Sequence, residues 1–256
     1  MMHLLFLGPL FLVFGFIIGS FLNGVIYRLE KEETLYGRSY CPHCKHVLAW
    51  FDLVPIISFL VLRGKCRYCL KSISLQYPII ELVAGFVFLI VSYYTFPRVT
   101  EMLFFWYIAS AFIIIFVYDV KHYLIPDKVL FWAILITFVY QLLFQLHFLI
   151  YNSFWSALAF CAFFFILFYV SDGRWIGFGD VKLVILLGLL SGFPKVLLAL
   201  FLASALGSVV GLVLIGLKKK GLKSQVPFAP FLISGTLLAM IFGNNIIHWY
   251  LQIFLL

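Results

Sequence analysis

Apolar residues run in long blocks along this chain, broken by short polar connections with neither the twofold alternation of strands nor a one-sided helical stripe. Blocks able to cross about 30 Å of hydrocarbon as helices of roughly 20 residues fall at about 4–27, 76–97, 102–119, 128–151, 154–171, 180–193, 195–217 and 228–254. The pattern predicts an all-α polytopic membrane protein with about eight transmembrane helices. The first block reads as a span and not as a cleaved signal, because no Lys or Arg precedes it and it continues through Asn23 to Tyr27. A ninth apolar stretch, Val47–Leu62, contains Asp52 and is broken by Pro55. It reads as the buried core or the membrane-facing side of a small domain. The expected organisation is therefore a first helix at 1–27, an inserted domain at 28–75 and a helical bundle at 76–256.

Composition removes the alternatives. Hydrophobic residues make up 65% and charged residues 11%, with a mean hydropathy of +1.13, whereas soluble domains are about 25% charged. The net charge of +8 suggests nucleic acid until the charges are placed, for they occupy the short connections. Eight (Arg28, Lys31, Arg38, Lys45, Arg63, Lys65, Arg67, Lys71) lie in 28–75. Lys121, Lys128, Arg174, Lys182, Lys218, Lys219, Lys220 and Lys223 lie in other connections on the same side. Only Arg98 and Lys195 lie opposite. The positive-inside rule then puts these connections in the cytoplasm and both termini outside. The expected partner is lipid, with no nucleic acid.

Four of the five cysteines form two pairs, Cys41-Pro42-His43-Cys44 and Cys66-Arg67-Tyr68-Cys69. Each C-x2-C pair can wrap one side of a tetrahedral ion, and four thiolates would make a closed structural zinc site. Two disulfides are the alternative, which a reducing cytoplasm disfavours. His43 and His46 could substitute as ligands, but four cysteines leave no vacancy. Cys161, inside the fifth block, reads as a packing residue.

Only ten residues are acidic, so a carboxyl inside a span is informative. Asp119 closes the third block and Asp180 opens the sixth, both on the cytoplasmic side of the expected topology. Two carboxyls meeting there could activate one water, the protonated member acting as acid and the ionised one as base. The plainer reading keeps Asp180 as a carboxylate at a helix N-terminus and Asp119 as a partner of Lys121 or His122. Gly177 and Gly179 favour the paired reading by allowing close backbone approach and an irregular backbone beside Asp180. Asp127, after Pro126, reads as a helix cap, and Asp52 and Asp172 carry less. Glu81 fits a hydrogen-bonded structural carboxyl or a substrate contact equally. Lys121 and Lys182 read as anchoring charges.

Several of these segments, in this order, resemble the bacterial type 4 prepilin peptidases. They are Gly19-Ser20-Phe21-Leu22-Asn23, the two cysteine pairs enclosing Asp52-Leu53-Val54-Pro55, and Tyr77-Pro78-Ile79-Ile80-Glu81-Leu82. Leu124-Ile125-Pro126-Asp127 after Asp119, Gly177-Phe178-Gly179-Asp180-Val181-Lys182-Leu183, and Val226-Pro227-Phe228-Ala229-Pro230-Phe231 complete the set. Glu30 stands where the family commonly has proline, and Ala229 where it commonly has glycine. The resemblance implies a GxGD-type aspartic endopeptidase of the bacterial plasma (inner) membrane. Such an enzyme removes the basic leader from prepilin or pseudopilin precursors at the cytoplasmic face, with Asp119 and Asp180 as the catalytic pair. It also implies, for many members, methylation of the new N-terminus by S-adenosylmethionine. No glycine-rich methyltransferase motif accompanies it here. A proton-coupled transporter using the same carboxylates and a non-enzymatic assembly protein are the rival readings. Internal duplication is weak, limited to Asp-Val-Lys at 119–121 and 180–182, which counts against the transporter.

Overall fold

The computed structural model describes residues 2–144, 147–217 and 226–254. It is helical throughout the described residues, without a strand, and nine helices appear among them: α1 (Met2–Glu30), α2 (Ile57–Val61), α3 (Gln76–Thr95), α4 (Val99–His122), α5 (Asp127–Phe144), α6 (His147–Val170), α7 (Phe178–Ser191), α8 (Lys195–Gly216) and α9 (Ala229–Phe254). Seven of them (α1, α3, α4, α5, α6, α8 and α9) are long and apolar enough to cross a membrane. The eighth expected span is α7, only 14 residues long. The chain is a multi-pass membrane protein. The cluster Lys218, Lys219, Lys220 and Lys223, used above for orientation, lies outside the described residues.

The chain divides into two compact units, Met1–Ile114 and Ile115–Leu256. In the first, α1 packs along α3 through glycines. A Cβ at Gly15 would stand 2.7 Å from the Gly85 Cα, and one at Gly19 2.7 Å from the Glu81 Cα. Lipid supplies no hydrophobic force to join two apolar helices, so van der Waals contact between close backbones must do it. Phe88 and Trp106 stack with centroids 5.0 Å apart, and the Trp106 indole N–H donates to the Phe88 carbonyl (3.2 Å), giving the buried Trp a polar partner.

The second unit is built around α7, which packs against α5, α6, α8 and α9. Val181, Leu183, Val184, Leu186, Leu187, Gly188 and Leu189 are all buried, so apolar residues all round this helix face protein. A helix in that position need not match the bilayer in length, which accounts for its 14 residues. It crosses α6 at backbone contact, where a Cβ on Gly188 would lie 2.5 Å from the Ala157 Cα. α9 crosses α8 the same way, with a Cβ on Gly235 2.5 Å from the Ala199 oxygen. The far end of α7 is fixed by polar contacts. The Gln141 amide donates to the Leu189 carbonyl (2.5 Å), one of the last-turn acceptors that no helical N–H reaches. Gly192 ends the helix at φ +61° and ψ 173°, a conformation open to glycine alone.

Candidate active site and thiol cluster

Asp119 lies in the last turn of α4 with its side chain buried. Its Oδ2 accepts the backbone N–H of Ala229 at 3.2 Å. That donor is available because Ala229 is the first residue of α9, where N–H groups have no intrahelical acceptor. The prolines at 227 and 230 contribute no N–H of their own. Ala229 is fully buried, which explains a small residue at this position.

Asp180 is the third residue of α7 and is half-buried. Its carboxylate accepts the Gly177 N–H, and the charge of Asp119 acts on it. The two aspartates that the sequence singled out thus lie near enough for the charge of one to bear on the other. The flanking glycines serve close approach and not an unusual backbone, since Gly177 is extended at φ −74°. A Cβ there would stand 3.5 Å from Asp180 Oδ2, and one on Gly179 would stand 3.3 Å from Ile125. The segment after α4 thus packs directly on the start of α7. The helix begins at Phe178, so the irregular stretch before Asp180 ends at Gly177.

The other charges sort differently. Lys182 Nζ pairs with Asp127 Oδ1 at 2.7 Å and lies 5.0 Å from the centroid of the Phe178 ring. Asp127 and Lys182, expected as a cap and an anchor, thus tie the first turn of α5 to the start of the second turn of α7. Asp172 is exposed beside Arg174 (3.8 Å). Glu81 is buried and accepts the Ile56 N–H at 2.7 Å, a structural bond. Asp52 is held by Arg67 (2.8 Å), Tyr68 (3.2 Å) and the Ala49 N–H (3.3 Å), an internal brace for the segment that carries the cysteines.

Cys41, Cys44, Cys66 and Cys69 are all free thiols whose sulfurs lie within 4.8 Å of one another. The two pairs have one local geometry. The Cys41 N–H donates to His46 O (2.9 Å) and the Cys66 N–H to Lys71 O (2.8 Å), and Lys45 and Leu70 both adopt φ +59°. Sulfurs bound at about 2.3 Å around a tetrahedral ion stand about 3.8 Å apart; Cys41 and Cys69 are 3.9 Å apart. The donor number, chemistry and spacing fit one tetrahedral metal ion. Burial raises the Cys41 thiol, but the N–H groups of Cys44 and His43 outweigh it and bring it down to about 7. At Cys69 the Lys71 N–H acts downward, while burial and the neighbouring thiols push it up to about 11. His43 and His46 are exposed and outside the cluster; the His46 ring lies on Tyr68, with centroids 3.7 Å apart.

Comparison with known proteins places both halves of this arrangement. The family model described as the bacterial peptidase A24 N-terminal domain matches residues 13–95, and that described as the type IV leader peptidase family matches residues 106–212. A prepilin leader peptidase/N-methyltransferase of Stutzerimonas stutzeri is 30% identical, covering 94% of this chain and 92% of its own. The chain belongs to the type IV leader peptidase family. Similarly named proteins of Bacillus subtilis (29% identical, covering 94% of this chain and 96% of the relative) and Pseudomonas aeruginosa (27%, 94% and 92%) agree. No solved structure matches. The first matched region of this family member holds both cysteine pairs and Glu81, and the second both aspartates.

The Ala229 N–H lies beyond the second match and was not identified from the sequence, although Pro227 and Pro230 on either side signal a backbone donor set apart. The Lys182–Asp127 pair was also missed, since each residue alone has an ordinary surface explanation.

Proposed function

We propose that this chain is a membrane aspartic endopeptidase that removes the basic leader from prepilin or pseudopilin precursors, with Asp119 and Asp180 sharing one water. The observation that carries this reading is a carboxyl in the last turn of α4 close enough to one in the first turn of α7 for its charge to act on it, with the former on a buried backbone N–H. Two carboxyl groups in one site do not both ionise easily. The ionised member takes a proton from the water as its oxygen bonds to the scissile carbonyl carbon, and the protonated member donates to the carbonyl oxygen. When the C–N bond breaks, the first carboxyl returns its proton to the leaving amine. The second recovers its own from the hydroxyl as the carbonyl reforms. The Ala229 and Gly177 N–H groups hold one oxygen of each carboxyl, leaving the others for water and substrate.

The four cysteines are assigned a structural zinc ion within a 28–75 domain inserted after the first helix. All four ligand positions are then filled by protein, which suits a structural ion and not a catalytic one. The distribution of Lys and Arg supports this domain and the aspartates facing the cytoplasm of the bacterial inner membrane, with both termini outside. The names of the relatives support a second activity, methylation of the new N-terminus by S-adenosylmethionine. The transporter reading is disfavoured, because transporter sites lie near the bilayer midplane between repeats, while Asp119 and Asp180 are close to helix ends.

The test is cleavage of a precursor carrying a basic leader and an apolar helix. Asp119→Asn and Asp180→Asn should each abolish product while the protein still elutes as a folded species in detergent. Unimpaired cleavage by either variant removes the shared-water mechanism.

A further inference from the structure

Residues 50–62 make up most of Val47–Leu62, the stretch that the sequence left divided between a buried core and a membrane-facing surface. It is not a core. None of the residues of the 3₁₀ turn Trp50–Leu53 or of α2 is buried. Between residues 31 and 75 only Cys41 and Cys66 are buried. Trp50 is 78% exposed, Ile57 60%, Leu60 67% and Val61 71%. An apolar patch of this kind needs an occupant.

The backbone identifies it. Between Trp50–Leu53 and α2 the chain turns at Ile56, with φ +61° and ψ −50°, and the Ile57 N–H donates to the Pro55 carbonyl. This is a γ-turn of the strained, positive-φ kind, on a β-branched residue. It leaves the Ile56 N–H free of the local ladder, and that N–H donates to Glu81 Oε2 at 2.7 Å. The Leu53 carbonyl accepts from the Ser20 hydroxyl at 3.5 Å, and Ser20 is beside Glu81. Both anchors lie within membrane spans. α3 has 20 residues, about 30 Å at 1.5 Å each, which matches the hydrocarbon thickness. Glu81, five residues after Gln76, is then about 7 Å below the boundary. Ser20 lies ten residues before the end of α1, and its neighbours Ile17 and Phe21 are exposed on that span.

We infer that residues 50–62 form a re-entrant element, in which Trp50, Ile57, Leu60 and Val61 insert into the acyl-chain boundary of the bilayer and Glu81 and Ser20 hold the backbone of the turn at that depth. Non-helical backbone is tolerated below the membrane surface only where protein satisfies it, and the Glu81 and Ser20 bonds do so. The insertion depth matches that of interfacial apolar segments, about 5–10 Å. The basic residues Arg63, Lys65, Arg67 and Lys71 follow directly, as expected where the chain returns to anionic headgroups. The occupant is lipid, continuous with the lipid around α1 and α3, and the cysteine-bearing segment is seated on the bilayer rather than suspended above it.

The test uses the unsubstituted full-length protein in vesicles of phosphatidylcholine and phosphatidylglycerol containing a lipid with a photoreactive diazirine on its upper acyl chain. Trypsin cleaving after Lys45 and Arg63 releases residues 46–63, and cleaving after Lys31 and Arg38 releases residues 32–38, which contain Tyr36, 92% exposed. The expected result is lipid adduct on 46–63 at least about tenfold above that on 32–38, as for an inserted against a solvated segment. In parallel, a water-borne hydroxyl-radical label should modify Tyr36 and spare Trp50. Three results would overturn the inference: no lipid adduct on 46–63 while peptides of the spans are labelled, radical modification of Trp50 equal to that of Tyr36, or protein–protein crosslinks through 46–63 in place of lipid, which would make a second copy the occupant.

Discussion

Replacing Gly188 by alanine puts one methyl group where α7 and α6 touch backbone to backbone. The new Cβ would be 2.5 Å from the Ala157 Cα and 2.8 Å from its nitrogen, against about 3.5–4.0 Å for an ordinary carbon contact. Neither neighbour can rotate away, because both belong to the helix backbone, so the two helices must separate by about 1 Å. Overpacking of this kind costs about 1–3 kcal/mol. Elsewhere in a helix the same change should gain up to about 1 kcal/mol from propensity. Gly211→Ala supplies that control, since a Cβ there meets nothing within 4 Å. Asp180 lies eight residues before Gly188 on α7, so a displaced helix carries the carboxyl with it. A misplacement of about 1 Å can cost a reaction about 10²-fold. Thermal unfolding in detergent and the rate of precursor cleavage should therefore both fall for Gly188→Ala and hold for Gly211→Ala. A Gly188→Ala protein with unchanged melting temperature and rate would refute the close-crossing argument.

Changing any one of Cys41, Cys44, Cys66 or Cys69 to serine should lower bound zinc, measured by elemental analysis, and make residues 31–75 more sensitive to protease, because a structural metal contributes its binding energy to folding. Glu81→Ala should speed protease cutting within 46–63, since it leaves the Ile56 N–H without its acceptor, at a cost of about 1–3 kcal/mol; Glu81→Gln, which keeps an acceptor oxygen, should restore most of the resistance. The 14 residues of α7 make about 21 Å of helix against about 30 Å of hydrocarbon, so Asp180, in its first turn, should lie in a wet recess up to about 9 Å below the surface, short of the midplane. A cysteine at Phe178 should then react with a small permeant thiol reagent and resist a bulky charged one, and equal reaction with both would remove the recess.

The sequence determined the solvent, the spans and the chemistry on offer. Long apolar blocks with charges confined to the connections admit only helices in lipid, because the hydrocarbon satisfies no backbone group. The two C-x2-C pairs and the two aspartates stood out for a related reason: ionisable and thiol side chains are scarce in such a chain, and each needs an explanation. Tertiary structure decided what hydropathy along the chain cannot carry. The Ala229 N–H reaches Asp119 across 110 residues, Lys182 finds Asp127 across 55, and Glu81 takes the Ile56 N–H across 25. Each contact depends on which helices become neighbours. The close crossings of α1 with α3, α6 with α7 and α8 with α9 are likewise tertiary, made at Gly15, Gly19, Gly85, Gly188 and Gly235, where absence of a side chain lets backbones approach. A glycine in an apolar run reads the same whether it faces lipid or another helix, and only packing tells them apart. The shortness of α7 has the same origin, for a helix walled in by protein is released from the length that lipid imposes on the others.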